Sequence, residues 1–202
     1  IEDRQWFYNQ MIEMFPKHFK VQWNIVHPGN FLMFNQFADG SQRYKLVNNT
    51  PDQMLSTCIE TLDNYNSDSS KEIKITLFHE AVDHISSIVR CLGMEKSHMM
   101  LLGVKSSGRK SFSRLALHIA AMDEFEIILK RGYSINDWKE DLKRLLKQCG
   151  IQDVSTGFII HDGQIVFEQQ HEDISNLMSC GSIPQLFEPD EIDSIKQEIL
   201  SS

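Results

Sequence analysis

A chain of 202 residues is long enough for one ordinary domain, or for one domain with part of a neighbour. Hydrophobic residues make up 41% and charged residues 24%, which predicts a folded globular chain and excludes a disordered or fibrous one. The formal net charge of -8 provides no basic field for nucleic acid, so any phosphate must be held locally. No apolar run approaches the roughly 18 residues of a membrane helix, and the first residues resemble neither a signal nor a transit peptide. We therefore expect no membrane contact and a cytosolic location.

The cysteines are far apart, with no C-x-x-C pair and no histidine at metal-ligand spacing. This indicates reduced structural thiols rather than a zinc site or a disulfide framework. The chain starts without Met inside a helical pattern, so we expect it to be a segment of a longer protein.

Residues 1–72 predict a mainly helical part. A one-sided apolar pattern over residues 3–19 predicts a packing helix that Pro16 bends or ends. Residues 27–30 read as a turn and residues 31–37 as a buried extended connector.

A second helix in this part begins at Thr50, a capping residue followed by Pro at the first helical position. Residues 64–70 resemble a linker, so we place a domain boundary near residue 72. The positions that we expect this helix to bury are Met54, Leu55, Cys58, Ile59 and Leu62.

After the linker the order is helix, strand, helix, strand, helix, strand, which predicts a parallel α/β sheet covered by helices. The predicted strands are 98–104, 125–129 and 157–161, with helices at 113–122 and 190–200. The other two helices bury Val82, Ile85, Ile88, Val89 and Leu92, and, after a cap at Asn136, Trp138, Leu142, Leu145, Leu146 and Cys149.

A glycine-rich turn joins the first predicted strand to its helix and has the glycine spacing of a Walker A loop. Such glycines let backbone N–H groups surround a phosphate chain at a helix N-terminus. The predicted phosphate-binding residues are Gly103, Val104, Lys105, Ser106, Ser107, Gly108, Arg109, Lys110 and Ser111.

Two substitutions distinguish this loop from the motif. Arg109 replaces the lysine and keeps its charge on a bulkier planar group. Lys110 replaces the Ser or Thr that ligates Mg²⁺, and an ammonium cannot ligate a metal. Ser111 could offer its hydroxyl instead if the loop is shifted by one residue.

The third predicted strand ends at Asp162, where a Walker B carboxylate orients Mg²⁺. Gly163 stands where a glutamate would orient or deprotonate the attacking water, a contribution worth about 10²- to 10⁴-fold in rate. We therefore expect poor hydrolysis. His161 is more simply a strand-end histidine than a metal or catalytic residue.

The chain carries DRQWF at residues 3–7, FNQF at 34–37, LDNYN at 62–66, ITLFHEAVDHISSIVRCL at 75–92, LLGVKSSGRKSFSRLALHIA at 101–120, KRGYSINDWKEDLKRLLKQCG at 130–150, GFIIHDGQI at 157–165 and EDISNLMSCGSIPQLFEPDE at 172–191. With these motifs it resembles the dynein heavy chains nearly from end to end, from the lid of the third AAA+ module into the large domain of the fourth. The loop and the Asp-x-Gln-Ile strand end look more like axonemal than cytoplasmic heavy chains. Within that group the departures are Lys105 for Gly, Lys110 for Gln, Gly163 for Ser or Thr, and Ser182 for Glu.

The resemblance implies a three-layer α/β/α P-loop AAA+ core, incomplete in this segment, over residues 73–202, preceded by a helical lid and connector over residues 1–72. It implies ATP or ADP with its adenine near Ile75, Leu77 and Phe78, its phosphates on the loop, and Mg²⁺ near Asp162. Ordinary core packing is the equal alternative for the adenine residues.

By this resemblance the segment is a regulatory nucleotide-binding module of a minus-end-directed microtubule motor, with weak hydrolysis. One alternative is a working ATPase in which Gln164 or a group outside the segment orients water. Another is a structural module without nucleotide, in which Lys110 or Arg109 fills the site with its own charge. The implied partners are neighbouring AAA+ modules, a microtubule through a distant stalk, and dynein intermediate and light chains. The implied locations are the cytoplasm, the cytoskeleton and the ciliary axoneme.

Overall fold

The structure is a computed structural model that describes residues 2–26, 33–35, 45–47 and 50–201. Its N-terminal part contains helix α1 (Glu2–Phe19), the short helix α2 (Trp23–Val26), and the antiparallel strands β1 (Met33–Asn35) and β2 (Lys45–Val47). The first predicted helix is confirmed and continues past Pro16 to Phe19. Strand β1 agrees with the predicted extended connector. The predicted turn at 27–30 and the predicted burial of residues 31–37 lie outside the described residues.

Helix α1 does not bury all of its predicted packing side. Trp6, Phe7 and Met14 are exposed. Phe15 instead stacks on Phe19 at 4.7 Å and meets the ring of Trp23 edge-on at 5.3 Å. The one-sided pattern identified the helix, but only part of that side has a partner among the described residues.

Helix α3 (Pro51–Asp68) begins as predicted, with a reciprocal cap at Thr50. The Thr50 hydroxyl accepts from the Gln53 amide at 3.3 Å, and the Gln53 side chain accepts from the Thr50 amide at 2.8 Å. Two expectations for this helix were wrong. Ile59 is exposed, and residues 64–68 are helical rather than linker because Tyr65 is buried there.

Helices α3, α4 (His79–Leu92) and α5 (Arg109–Ile119) share one hydrophobic core. The junction between α3 and α4 is fastened by Asn66, whose side chain accepts from the Ile73 amide at 2.7 Å and donates to the Ile73 carbonyl at 3.1 Å. The domain boundary near residue 72 stays a prediction. The buried members of this core are Met54, Cys58, Leu62, Tyr65, Ile73, Leu77, Ala81, Val82, Ile85, Ile88, Val89, Leu115 and Ala116.

Strands β3 (Asp123–Glu126) and β4 (Thr156–Ile159) form a parallel pair with Phe125 opposite Phe158. These two rings pack with Trp138 of helix α6 (Ile135–Gly150) on one face of the sheet. Glu124 and Gly157, which also face each other in register, lie on the other face against α5. Helices therefore cover both faces, which confirms the α/β class as part of a three-layer core.

The first predicted strand, over residues 98–104, is not a strand in the structure. Met100, Leu102 and Val104 are 82%, 81% and 78% exposed. A strand needs a hydrogen-bonded neighbour, and β3 and β4 pair with each other rather than with this segment. The segment is a continuous apolar run, but within the described residues no strand pairs with it.

Several boundaries also differ from the predictions. Helix α5 starts four residues before the predicted position 113. Strand β3 begins at Asp123 and ends at Glu126, so it overlaps only the start of the strand predicted at 125–129. Helix α6 is capped by Ser134 rather than Asn136, because Asp137 completes a reciprocal cap with Ser134. A single 3₁₀ turn (Asp162–Gln164), helix α7 (Glu168–Cys180) and helix α8 (Pro189–Ser201) complete the chain. No helix in the described part of the chain is long and apolar enough to cross a membrane.

Candidate functional site

The glycine-rich loop runs directly into the N-terminus of α5. A turn bond joins the Ser107 amide to the Val104 carbonyl at 3.3 Å, and the first helical bond runs from the Phe112 amide to the Gly108 carbonyl at 2.8 Å. The amides of residues 109–111 precede that bond and point out of the helix end. An anion can be held there by backbone donors and by the helix dipole.

The geometry of the loop requires a glycine at Gly108, and Gly103 lies close to Ser107. A Cβ on Gly103 would lie 2.8 Å from the Ser107 hydroxyl oxygen. Gly108 has a φ of +81°, in the left-handed region, and its α-carbon faces the ring of Phe112. Ser106 also has a positive φ, of 66°, a conformation that costs a non-glycine residue about 1 kcal/mol or more. The sequence between Gly103 and Gly108 is therefore folded into a tight turn rather than an open loop.

The three cations of the loop have different surroundings. Lys105 is exposed and Arg109 is half-buried, and neither makes an ion pair with the residues that the structure describes. Lys110 instead forms a close ion pair with Glu126 at the end of β3. Arg109 and Lys105 are thus available to an anion, whereas Lys110 is held by the sheet. This argues against the alternative in which Lys110 fills the site with its own charge.

The Lys110–Glu126 pair belongs to a larger charge cluster on one face of the sheet. Arg114 of α5 contacts Glu126 at 2.9 Å and Glu124 at 2.9 Å, and Lys71 reaches Glu124 at 3.2 Å. Burial raises the pKa of Glu126, but the hydrogen bond from Lys110 and the nearby positive charges outweigh it and lower that pKa below its usual range. Glu126 is therefore a carboxylate at neutral pH and anchors the first turn of α5.

Asp162 lies at the same edge of the sheet as the loop. Parallel strands end at a common edge, and the Lys110–Glu126 pair places the N-terminus of α5 there, beside the ends of β3 and β4. Asp162 and Gly163 are exposed in the turn that follows β4. Among the described residues, no hydrogen bond or ion pair links Asp162 to the loop. The structure gives both sites a common edge, and their roles stay predictions.

Gln164, directly after this turn, is fully engaged in structural hydrogen bonds. Only 3% of the residue is exposed. Its side-chain nitrogen donates to the Ile127 carbonyl beyond β3, and its side-chain oxygen accepts from the His161 amide at 2.9 Å. Gln170 in turn donates to the Gln164 carbonyl at 3.2 Å. This brace holds the ends of β3 and β4 together, and it argues against a role for Gln164 in orienting water.

No pattern in the sequence indicated the brace, because the residue type of a glutamine at a strand end does not show whether its side chain is buried or exposed. The Lys110–Glu126 pair was missed for a similar reason. Its partners are on different elements, and only the antiparallel packing of α5 on β3 brings them together.

The residues predicted to contact adenine differ in exposure. Leu77 is buried in the core shared by α3, α4 and α5, and Ile75 packs against the same core. Phe78 is 51% exposed and precedes the first residue of α4. The packing alternative thus describes Leu77 and Ile75, whereas the ring of Phe78 is open to a ligand.

Metal ligation has little support in the described residues. No cluster of three or more His, Cys, Asp or Glu side chains occurs among them. His161 lies beside Asp162, and its amide serves the Gln164 brace. Asp162 is the one predicted metal ligand in this part of the chain.

Comparison with known proteins identifies relatives along almost the whole chain. The family described as P-loop containing dynein motor region D4 matches residues 73–202. The chain is 34% identical to human dynein axonemal heavy chain 6 and to mouse dynein axonemal heavy chain 1, over 96% of its length in each case. It is 38% identical to human dynein axonemal heavy chain 2 over 81% of its length. The chain spans 5% or less of the length of these relatives. It belongs to the dynein heavy chain family, and its residues 73–202 are a P-loop motor region of that family.

Proposed function

We propose that this segment is the nucleotide-binding part of a regulatory AAA+ module, which holds ATP or ADP with little turnover. The observation that carries the proposal is a phosphate loop that keeps its helix N-terminus and an Arg109 without an ion pair among the described residues. Beside it is a strand end that has Gly163 in place of the catalytic glutamate. Binding needs the first feature, and hydrolysis needs the group that the second lacks.

The loop fits a phosphate chain. Its tight turn between Gly103 and Gly108 directs backbone amides to one end of α5, and Lys105 and Arg109 can supply positive charge without breaking an ion pair in the described chain. The proposed adenine region is the stretch Ile73 to Phe78, in which Phe78 offers the exposed ring. The proposed module covers residues 73–202, and residues 1–72 are the proposed lid and connector of the module before it.

A working ATPase is the second candidate, and the structure weakens it. Gln164, the residue in this segment that could replace the glutamate, uses both ends of its amide in the brace between β3 and β4. Efficient hydrolysis would then require a water-orienting group from another part of the heavy chain.

The names of the relatives support a proposal about the longer protein that contains this module. We propose that the heavy chain containing it is a minus-end-directed microtubule motor. Its proposed locations are the cytoplasm, the cytoskeleton and the ciliary axoneme. The proposed partners are the neighbouring AAA+ modules, dynein intermediate and light chains, and a microtubule reached through a distant stalk. Nucleotide occupancy at this module would bias the conformation of the ring.

The test uses the full motor with hydrolysis disabled in its other modules. Turnover at this site should be slow, and Gly163→Glu should raise it by about 10²-fold or more if only the water-orienting carboxylate is missing. Gly163→Gln is the matched control, since it adds the same bulk beside His161 without a base. Brisk turnover in the unmodified motor that Asp162→Ala abolishes would refute the low-turnover proposal.

A further inference from the structure

The magnesium ion of a P-loop site is held by the hydroxyl that follows the loop lysine. Here the helix fixes which residue occupies that place. Gly108 ends the loop in a left-handed conformation, Arg109 begins α5, and Lys110 is therefore the residue at the hydroxyl position. Ser111 is one residue further along the helix, about 100° around its axis, so it does not take that place. The shift of register considered from the sequence is not observed.

Lys110 cannot serve as a metal ligand, and its ammonium is already engaged in an ion pair. Its ammonium is paired with Glu126, and only 12% of the Glu126 side chain is exposed. Arg114 holds the other oxygen of the same carboxylate at 2.9 Å. The residue at the position of the metal-binding hydroxyl is thus a lysine whose ammonium is paired with the sheet.

The remaining donors do not compensate. Asp162 is an exposed carboxylate, and among the described residues no hydrogen bond or ion pair links it to the loop. Lys105 and Arg109 are positive and have no ion pair among the described residues, whereas the charge of Lys110 is neutralised by Glu126. A hard cation such as Mg²⁺ requires oxygen ligands and is repelled by ammonium groups. The residues present therefore do not fit a loop-held magnesium ion.

We propose that this loop binds the phosphates of its nucleotide without magnesium, with Arg109 and Lys105 neutralising the charge that the metal otherwise neutralises. The inference rests on the proposed nucleotide-binding function and specifies its chemistry. The ligand is the metal-free nucleotide, ATP or ADP, rather than its magnesium complex.

The experiment compares maps of the full motor at saturating ADP, in magnesium buffer and in EDTA, together with nucleotide stoichiometry per heavy chain. Arg109→Ala identifies the share of bound nucleotide that belongs to this loop. Nucleotide density at Gly103 to Ser111 in both buffers, with affinities within about threefold, is the expected result. Density with magnesium alone would overturn this inference and leave the proposed function standing. No density in either buffer would overturn both.

A pair of variants tests the role of Lys110 directly. Lys110→Ser and Lys110→Met both remove the ion pair with Glu126, but only the serine supplies a metal ligand. Lys110→Ser should make binding at this loop about tenfold tighter in magnesium than in EDTA, whereas Lys110→Met should show no such preference. If both variants bound more tightly in magnesium to the same extent, or if neither did, the assignment of residue 110 to the metal position would be contradicted.

Discussion

The brace made by Gln164 leads to a sharp prediction, because Gln164→Glu keeps the size of the side chain and changes one group. The substitution replaces the amide nitrogen that donates to the Ile127 carbonyl with an oxygen that cannot donate when ionised. The oxygen that accepts from the His161 amide is retained. The effect should therefore come from the end of the brace at Ile127.

The expected cost follows from burial. Gln164 is 3% exposed, so water cannot replace the lost donor. Leaving a buried carbonyl unpaired costs about 1–3 kcal/mol, which corresponds to about a 5- to 150-fold increase in local opening. Burial also favours the protonated form of the introduced carboxyl, which can donate to the Ile127 carbonyl again. The loss should therefore be full at neutral pH and shrink as the pH falls toward the ordinary glutamate pKa of about 4.3.

Hydrogen exchange of peptides from β3 and β4 in the intact motor measures this loss, after correction for intrinsic exchange at each pH. Gln152→Glu is the matched control, because Gln152 is exposed and the same charge is added. Faster exchange in Gln164→Glu alone would support the brace. Equal exchange in the two variants, with turnover changed only in Gln164→Glu, would refute it and favour the water-orienting alternative.

Three further predictions concern packing, charge and capping. Gly157→Ala should destabilise the contact of β4 with α5 by about 1–3 kcal/mol, because its Cβ would lie 2.1 Å from Leu117. In a double-mutant cycle measured by hydrogen exchange, Gly157→Ala combined with Leu117→Ala should lose less stability than the sum of the two single variants. Glu126→Gln should loosen the first turn of α5 in exchange measurements; since folding lowers the pKa of Glu126, the difference from the unmodified motor should be full at neutral pH and fade as acid protonates that carboxylate. Ser134→Ala should cost α6 about 1 kcal/mol, seen as faster exchange in its first turn.

Local chemistry was enough to predict much of the fold. Thr50 followed by Pro and by Gln53 carries the whole capping signal within four residues, and α3 begins there. The apolar face of α4 is likewise a property of one helix, and its expected members Val82 and Ile85 are buried. The loop from Gly103 to Gly108 was predicted from its glycine spacing and from an expected strand before it and helix after it; the structure has the helix directly after the loop but no strand at residues 98–104.

Features that depend on distant partners were not predictable in the same way. Residues 64–68 have the composition of a linker, but they form the end of helix α3. Tyr65 there packs edge-on against the ring of His118 in α5 at 5.3 Å, and this contact stabilises the helical conformation. Residues 98–104 have the pattern of a buried strand and are exposed, since a strand forms only beside another strand. In both cases the residue pattern indicates a preference for one type of structure, and contact with another element determines whether that structure forms.

Lys110 replaces the hydroxyl residue of the motif. This substitution shows why the position of the candidate site could be predicted from the sequence, whereas the interactions of its side chains could not. From the sequence, the substitution only removes a metal ligand and adds a positive charge near the phosphates. In the structure the same charge is neutralised by Glu126, and through Arg114 and Glu124 the cluster continues to Lys71, just after α3. The helix that carries the phosphate loop is thereby tied by ion pairs both to the sheet and to the segment that precedes the module. A change at the loop that moves the first turn of α5 must strain or break these pairs. Under the proposed regulatory function, Lys110 therefore removes a metal ligand and also begins a chain of ion pairs that runs from the N-terminus of α5 to Lys71.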